Sequence, residues 1–150
     1  MKIVIASDHG GFEYKAMLLP FLEALGHEVT DFGCRTEDAT DYSDYAIPAA
    51  QAVAASEFDR GILICGTGIG MSISANKVQG VRCALCGDLL TAKLTREHND
   101  SNMLALGGRI IGPETAKAIV AVWLGTEFSA AERHQRRIDK ISTFETTNER

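Results

Sequence analysis

Long apolar runs and basic stretches are both missing from this chain of 150 residues. No uninterrupted hydrophobic segment approaches the roughly 20 residues that a membrane-spanning helix needs, and the N-terminus has no charged-then-apolar leader. Acidic side chains outnumber basic ones by 20 to 15, for a net charge of −5. Binding to a phosphate backbone or an anionic bilayer needs a broad basic stripe, so neither nucleic acid nor membrane is an expected partner. The four cysteines, Cys34, Cys65, Cys83 and Cys86, include one C-x-x-C pair. That pair has no second C-x-x-C or H-x-x-x-H to complete a metal site, lies within a predicted strand and reads as packing. Free cysteines without a leader fit a reduced, cytoplasmic protein. Internal repeats, low-complexity segments and linkers are also absent, so residues 1–150 read as a single domain.

With 45% hydrophobic side chains, the chain is long enough to bury roughly two thirds of its unfolded surface. Short apolar runs alternate with amphipathic segments, which is the pattern of βα units on a parallel sheet covered on both faces. Strands are predicted at Lys2–Ala6, His27–Phe32, Gly61–Ile64, Arg82–Cys86 and Asn102–Leu106. Helices are predicted at Phe12–Leu25, Ser43–Ala55, Leu89–Glu97, Pro113–Leu124 and Glu132–Glu145, with a short one starting at Met71. Gly26 suits a left-handed helix end, Asp41 and Asp88 suit N-caps, Pro20 should kink the first helix, and Gly125 should stop the fifth. The tail from Thr146 to Arg150 looks frayed. The expected fold is a three-layer α/β/α, Rossmann-like domain with a five-stranded parallel sheet.

Open parallel sheets bind ligands beyond the carboxyl ends of their strands. Those ends deliver Ser7-Asp8-His9-Gly10-Gly11, Cys65-Gly66-Thr67-Gly68-Ile69-Gly70 and Gly107-Gly108-Arg109. The glycine turn lacks the third glycine of G-x-G-x-x-G, so a dinucleotide site is disfavoured. A plain tight turn leaves one glycine unexplained, whereas an anion cradle uses all three, because glycines let ligands approach backbone N–H groups closely. Cys65 at its head is either a small buried hydrophobe or a base, since a thiol at a helix N-terminus ionises more readily than a free one. His98-Asn99-Asp100 stands before the fifth strand, at the opposite end of the sheet from Cys65. Arg133 and Arg137, four apart on the last helix, share one face and could hold a phosphate or simply be solvated.

The motifs Asp8-His9-Gly10-Gly11, Cys65 to Gly70, Ser74-Ala75-Asn76-Lys77, His98-Asn99-Asp100 and the Arg133-His134 helix start stand in a characteristic order and spacing. In these the sequence resembles the type B ribose-5-phosphate isomerases over nearly its whole length. The resemblance implies an aldose–ketose isomerase of the pentose phosphate pathway that works without metal or cofactor. It implies Cys65 as the proton-transferring base, Gly66, Thr67, Gly68, Ile69 and Gly70 as the loop holding an enediolate, and His98 as the ring-opening acid. Thr67 could add a hydroxyl contact. Asp8, His9, Asn99, Arg109, Arg133 and Arg137 become substrate contacts, the arginines directed at phosphate. One branch of that family carries a glutamate base where this chain has Met71, which cannot take a proton and leaves Cys65 as the candidate. The family forms homodimers or dimers of dimers with sites shared between chains, His98, Asn99 and Arg109 coming from the partner. Allose 6-phosphate, galactose 6-phosphate or a tetrose phosphate remain alternative substrates, as does a non-catalytic sugar-phosphate-binding module.

Overall fold

A computed structural model describes residues 1–147. Five parallel strands, β1 (Lys2–Ser7), β2 (Glu28–Asp31), β3 (Arg60–Cys65), β4 (Cys83–Leu85) and β5 (Met103–Gly107), form one sheet in the order β2-β1-β3-β5-β4. Six α-helices connect and cover them: α1 (Phe12–Ala24), α2 (Ser43–Ala54), α3 (Ile69–Ala75), α4 (Leu89–Asn99), α5 (Pro113–Gly125) and α6 (Glu132–Thr147). The predicted α/β/α architecture is the one found.

Period-two alternation in the strands explains the layers. Ile3, Ile5, Ile62, Ile64, Leu104 and Leu106 point to one face, where Leu18, Leu22, Ile119 and Trp123 of α1 and α5 cover them. Val4, Ala6, Leu63, Met103 and Ala105 point to the other, against α2 and α3. On that side α2 presents Ala46, Ala49, Ala50 and Val53, so small residues let the helix lie close to the sheet. Each fully buried large aliphatic side chain contributes about 1.5–3 kcal/mol. The only tryptophan is fully buried and donates its indole N–H to Ser101 Oγ at 2.9 Å.

Several boundaries differ from the sequence expectation. Helix α3 starts at Ile69 rather than Met71, because Gly68 takes a left-handed φ of 78° and turns the chain into the helix two residues earlier. Strand β4 keeps only Cys83–Leu85, since beyond the pairing with Met103–Ala105 the ladder ends. Asp41 does not cap α2 with its carboxylate; its main-chain carbonyl accepts from Asp44 N–H at 3.1 Å, and the capping position falls to Tyr42, already helical. Asp88 caps α4 as expected, accepting from Thr91 N–H at 2.8 Å. Gly26, at φ 86°, ends α1. Helix α1 runs through Pro20 as one element, as α2 does through Pro48. Both prolines are exposed, so water can reach the carbonyls that they leave unbonded. Gly125 is the last residue of α5 rather than its stop. Thr146 and Thr147 are helical instead of frayed, and residues 148–150 lie outside the described part.

Candidate active site

The strand order reverses between β1 and β3: from β1 the chain passes to β2 on one side and then to β3 on the other. Such a switch point opens a crevice at the carboxyl ends of the two strands. Ser7 pairs with Ile64, so Asp8 and Cys65 leave the sheet side by side. Asp8 is buried and its carboxylate accepts from Gly11 N–H at 3.2 Å, closing one turn of 3₁₀ helix over His9–Gly11. Gly10 passes so close to the glycine loop that a Cβ there would come within 2.9 Å of Gly66 N. On the other side, Gly108 N–H donates to Cys65 O and Arg109 N–H to Gly66 O, each at 2.9 Å. Three strand ends are thereby stitched around Cys65.

Cys65 is the last residue of β3 and 5% exposed. Gly68 N–H donates to its sulfur at 3.0 Å. Ile69 N–H is taken by Thr67 Oγ1 at 3.3 Å, so the hydroxyl expected to touch a ligand serves the loop itself. The amides of Gly66, Thr67 and Gly70 carry no hydrogen bond among the described residues, which leaves three donors for an external anion. Met71 is fully buried. A cavity of about 290 Å³ beside this turn is lined by His9, Gly10, Glu13, Tyr14, Glu37, Gly108 and Arg109.

His98 and Asn99 occupy the last turn of α4 rather than a loop. Asp100 follows in the left-handed region at φ 44°, held between two arginines. Arg96 reaches its carboxylate at 2.8 Å and Arg82 at 3.2 Å, and Arg82 also donates to the carbonyls of Asn99 and Asp100. Helix α4 runs back from the carboxyl rim, so this turn stands at the amino rim, where Gly61 N–H bonds Asn102 O. The six residues of β3 separate the two rims by roughly 17–20 Å at the usual rise per residue.

Helix α6 joins the amino rim. His134 is buried and stacks on His98, with ring centroids 4.2 Å apart and planes 11° from parallel. Arg133 Nε donates to His134 Nε2 at 3.3 Å. Burial first, then His98, Arg133 and Arg137, push the His134 imidazolium below its ordinary pKa. Arg133 and Arg137, four apart on α6, share one face of that helix. Another cavity, about 370 Å³, opens at this rim between Asn99, Arg82, Thr95 and Ile141.

The predicted residues thus fall into two groups. Asp8, His9, Cys65 to Gly70 and Arg109 meet at the carboxyl rim; His98, Asn99, Arg133 and Arg137 gather at the amino rim. The resemblance assigned Arg109 to a partner together with His98, but in this chain Arg109 lies against its own Gly66, where a Cβ would be 3.3 Å from it. Cys83, in β4, and Cys86, just past its end, enter opposite core faces, and burial raises both thiols, Cys83 to about 12. Glu13, Tyr14, Glu37 and Thr40 were not expected at the site. Glu13 and Tyr14 were findable, one helical turn beyond the His9 motif; Glu37 and Thr40 were not, because only tertiary folding brings their loop over it.

The model of the ribose/galactose isomerase family matches residues 3–141. The chain belongs to the ribose/galactose isomerase family. It is 46% identical over 144 residues to ribose-5-phosphate isomerase B of Escherichia coli (strain K12), covering 96% of each chain. It is 55% identical over 149 residues, 99% of each chain, to YwlF of Bacillus subtilis (strain 168), whose name places it provisionally among sugar phosphate isomerases and specifies no sugar. Among solved structures, the ribose-5-phosphate isomerase B of Clostridium thermocellum superposes with a TM-score of 0.97 at 48% identity, covering 99% of this chain and 100% of that one. No described helix is long and apolar enough to cross a membrane.

Proposed function

We propose that this member of the family interconverts ribose 5-phosphate and ribulose 5-phosphate, in the cytoplasm and within the pentose phosphate pathway, as a homodimer. The observation that carries the reading is the Gly68 amide on the Cys65 sulfur at 3.0 Å, beside a loop with three open amides. Removing a proton beside a carbonyl is feasible only where the resulting oxyanion is held as it forms. Cys65, as thiolate, takes the C2 proton of the open-chain aldose. The electron pair moves into a C1–C2 double bond and the carbonyl oxygen becomes the enediolate oxygen, held by the amides of Gly66, Thr67 and Gly70. The O2 proton passes to O1, and the thiol returns its proton to C1 as the C1–C2 double bond's electron pair is replaced by a C2 carbonyl, giving the ketose and restoring the thiolate.

A furanose has no free carbonyl, so the ring opens first: His98 protonates the ring oxygen as its bond to C1 breaks, and the anomeric hydroxyl gives its proton to water and becomes the C1 carbonyl. Asp8, His9, Asn99 and Arg109 hold the sugar, and Arg133 and Arg137 the phosphate. His98 and the arginine pair stand at the far rim of their own chain, so a twofold-related subunit must bring them to the Cys65 loop. The names of the Escherichia coli and Clostridium thermocellum relatives favour a five-carbon substrate. Incubation with ribose 5-phosphate in deuterium oxide should place deuterium at C2, and a coupled assay should prefer pentose over hexose phosphates. Binding without exchange would make the protein a non-catalytic sugar-phosphate module, and faster turnover of a hexose 6-phosphate would reassign the sugar.

A further inference from the structure

The connection between β2 and α2, residues 32–42, passes over the carboxyl-rim cavity. It is tied down at both ends. At the first end the buried Lys15 ammonium donates to Asp31 at 2.8 Å and to Cys34 O at 2.6 Å, while Gly33 N–H donates to Asp31 Oδ1 at 2.7 Å. Cys34 N–H adds a bond to Ser7 O, at the end of β1. At the far end the Tyr42 ring lies against Gly70, where a Cβ would come within 2.8 Å of it. Residues 35–39 between these ties are exposed. One contact joins the strap to a site side chain: Thr40 N–H donates to His9 Nδ1 at 3.2 Å.

A ring nitrogen that receives an N–H carries no proton of its own. We propose that the Thr40 backbone amide sets His9 in the Nε2–H tautomer, which makes His9 a hydrogen-bond donor to a ligand oxygen in the cavity that it lines. The main chain is the agent, because the Thr40 hydroxyl is itself buried without a partner and gives His9 nothing. Left free, imidazole exchanges between tautomers and offers a lone pair as readily as a donor. Oxygen acceptors, whether phosphate or hydroxyl, need the donor. Glu37 reaches the same cavity from the same strap, so the loop both lines the site and fixes the sense of its hydrogen bonding. Thr40 is thus a positioning residue, acting through His9. The proposal rests on the sugar-phosphate reading only for what the donor serves.

Nitrogen NMR of the full-length protein without substrate separates the two. The wild type should show a coupling across the hydrogen bond between the Thr40 amide nitrogen and His9 Nδ1, a pyridine-like Nδ1 and a protonated Nε2. Amide exchange at Thr40 should be slow in the wild type and accelerate in His9→Phe. Thr40→Val keeps the N–H and should keep the tautomer signature; Thr40→Pro deletes it and should give a tautomer mixture. In that variant KM for ribose 5-phosphate should rise about 5–10-fold, the size of one lost neutral hydrogen bond, with kcat changing less. A protonated Nδ1, an unprotected Thr40 amide, an unmixed Nε2–H tautomer in Thr40→Pro or an unchanged KM there would overturn the proposal. Should Thr40→Pro fail to fold, the wild-type coupling and the exchange comparison with His9→Phe decide it alone. Loss of the isomerase reading with the coupling present would leave the tautomer lock standing.

Discussion

At the carboxyl rim of the sheet the backbone is bare: the glycine-rich turn leaves the amides of Gly66, Thr67 and Gly70 open beside a thiol. At the amino rim the backbone is closed, the carbonyls at the end of α4 are taken by arginines, and the chemistry lies in His98, Arg133 and Arg137. One rim can hold a developing anion around its thiol; the other gathers an imidazole pair and two arginines but has no backbone cradle. The strand between them is too long for a five-carbon sugar phosphate to bridge within one chain. On the proposed mechanism each rim is half a site, and twofold symmetry, which sets a patch of one subunit against another patch of its copy, joins unlike halves twice.

The largest effect should come from removing either half. Cys65→Ala and His98→Ala should each lower turnover on the order of 10²–10⁴-fold, because proton transfer by a positioned group contributes that much. Cys65→Ala should also stop C2 exchange while binding survives. Mixing the two variants sharpens the comparison. In a mixed dimer one site takes both lesions and the other takes neither. Random assembly makes about half the dimers mixed, so roughly a quarter of wild-type activity should return. A doubly tagged mixed dimer as dead as its parents would show that both groups serve one chain's own site.

A smaller effect should appear within the amino rim. Arg133 and Arg137, four apart, share one helix face and Arg133 bonds His134, whereas Arg136 is turned about 100° from Arg137 around the helix. Arg133→Ala or Arg137→Ala should lower kcat/KM roughly 30–150-fold, the size of a charge-assisted contact to phosphate. Arg136→Ala should cost less than about threefold. Equal losses at all three positions would reduce the cluster to general electrostatic attraction.

The two rims were not equally legible in the sequence. The alternation of Ile3 and Ile5 with Val4 and Ala6, and its repetition in β3 and β5, announces strands buried on both faces. Glycine spacing likewise marks the turn after Cys65, because close backbone approach leaves few other choices. The amino rim was half visible: His98 could be placed before β5, but not its stack on His134, which depends on how α6 crosses α4. The boundary of α4 was set two residues short because His98 and Asn99 are poor helix formers, and the Arg82 and Arg96 bonds that hold the turn come from tertiary structure. The strand ends put Arg109 at the same rim as Cys65, but local pattern does not say which loop a long side chain will lie across, here Gly66.

The smallest effect at neutral pH separates a thiol of the amino rim from the one at the carboxyl rim. Cys83 begins β4, packs in the core and is held protonated by burial, then by Cys86, with a Ser72 hydrogen bond opposing; its pKa rises to about 12 from an ordinary value near 9. Cys83→Ala should therefore leave the rate per folded molecule unchanged. Its signature is in stability. Below pH 9 the thiol is protonated in both folded and unfolded chains, so its contribution is fully present. Between about 9 and 12 the unfolded chain ionises and the folded one does not, which lowers the wild-type unfolding free energy by about 1.4 kcal/mol per pH unit from this group. At pH 8 the wild type should be more stable than Cys83→Ala by about 1–3 kcal/mol in urea titrations, the cost of a small cavity. That gap should close and then reverse as pH rises toward 11, because alanine has no proton to lose. A gap independent of pH would mean that the folded thiol ionises as readily as the unfolded one, and Cys83 would no longer serve as the inert counterpart of Cys65.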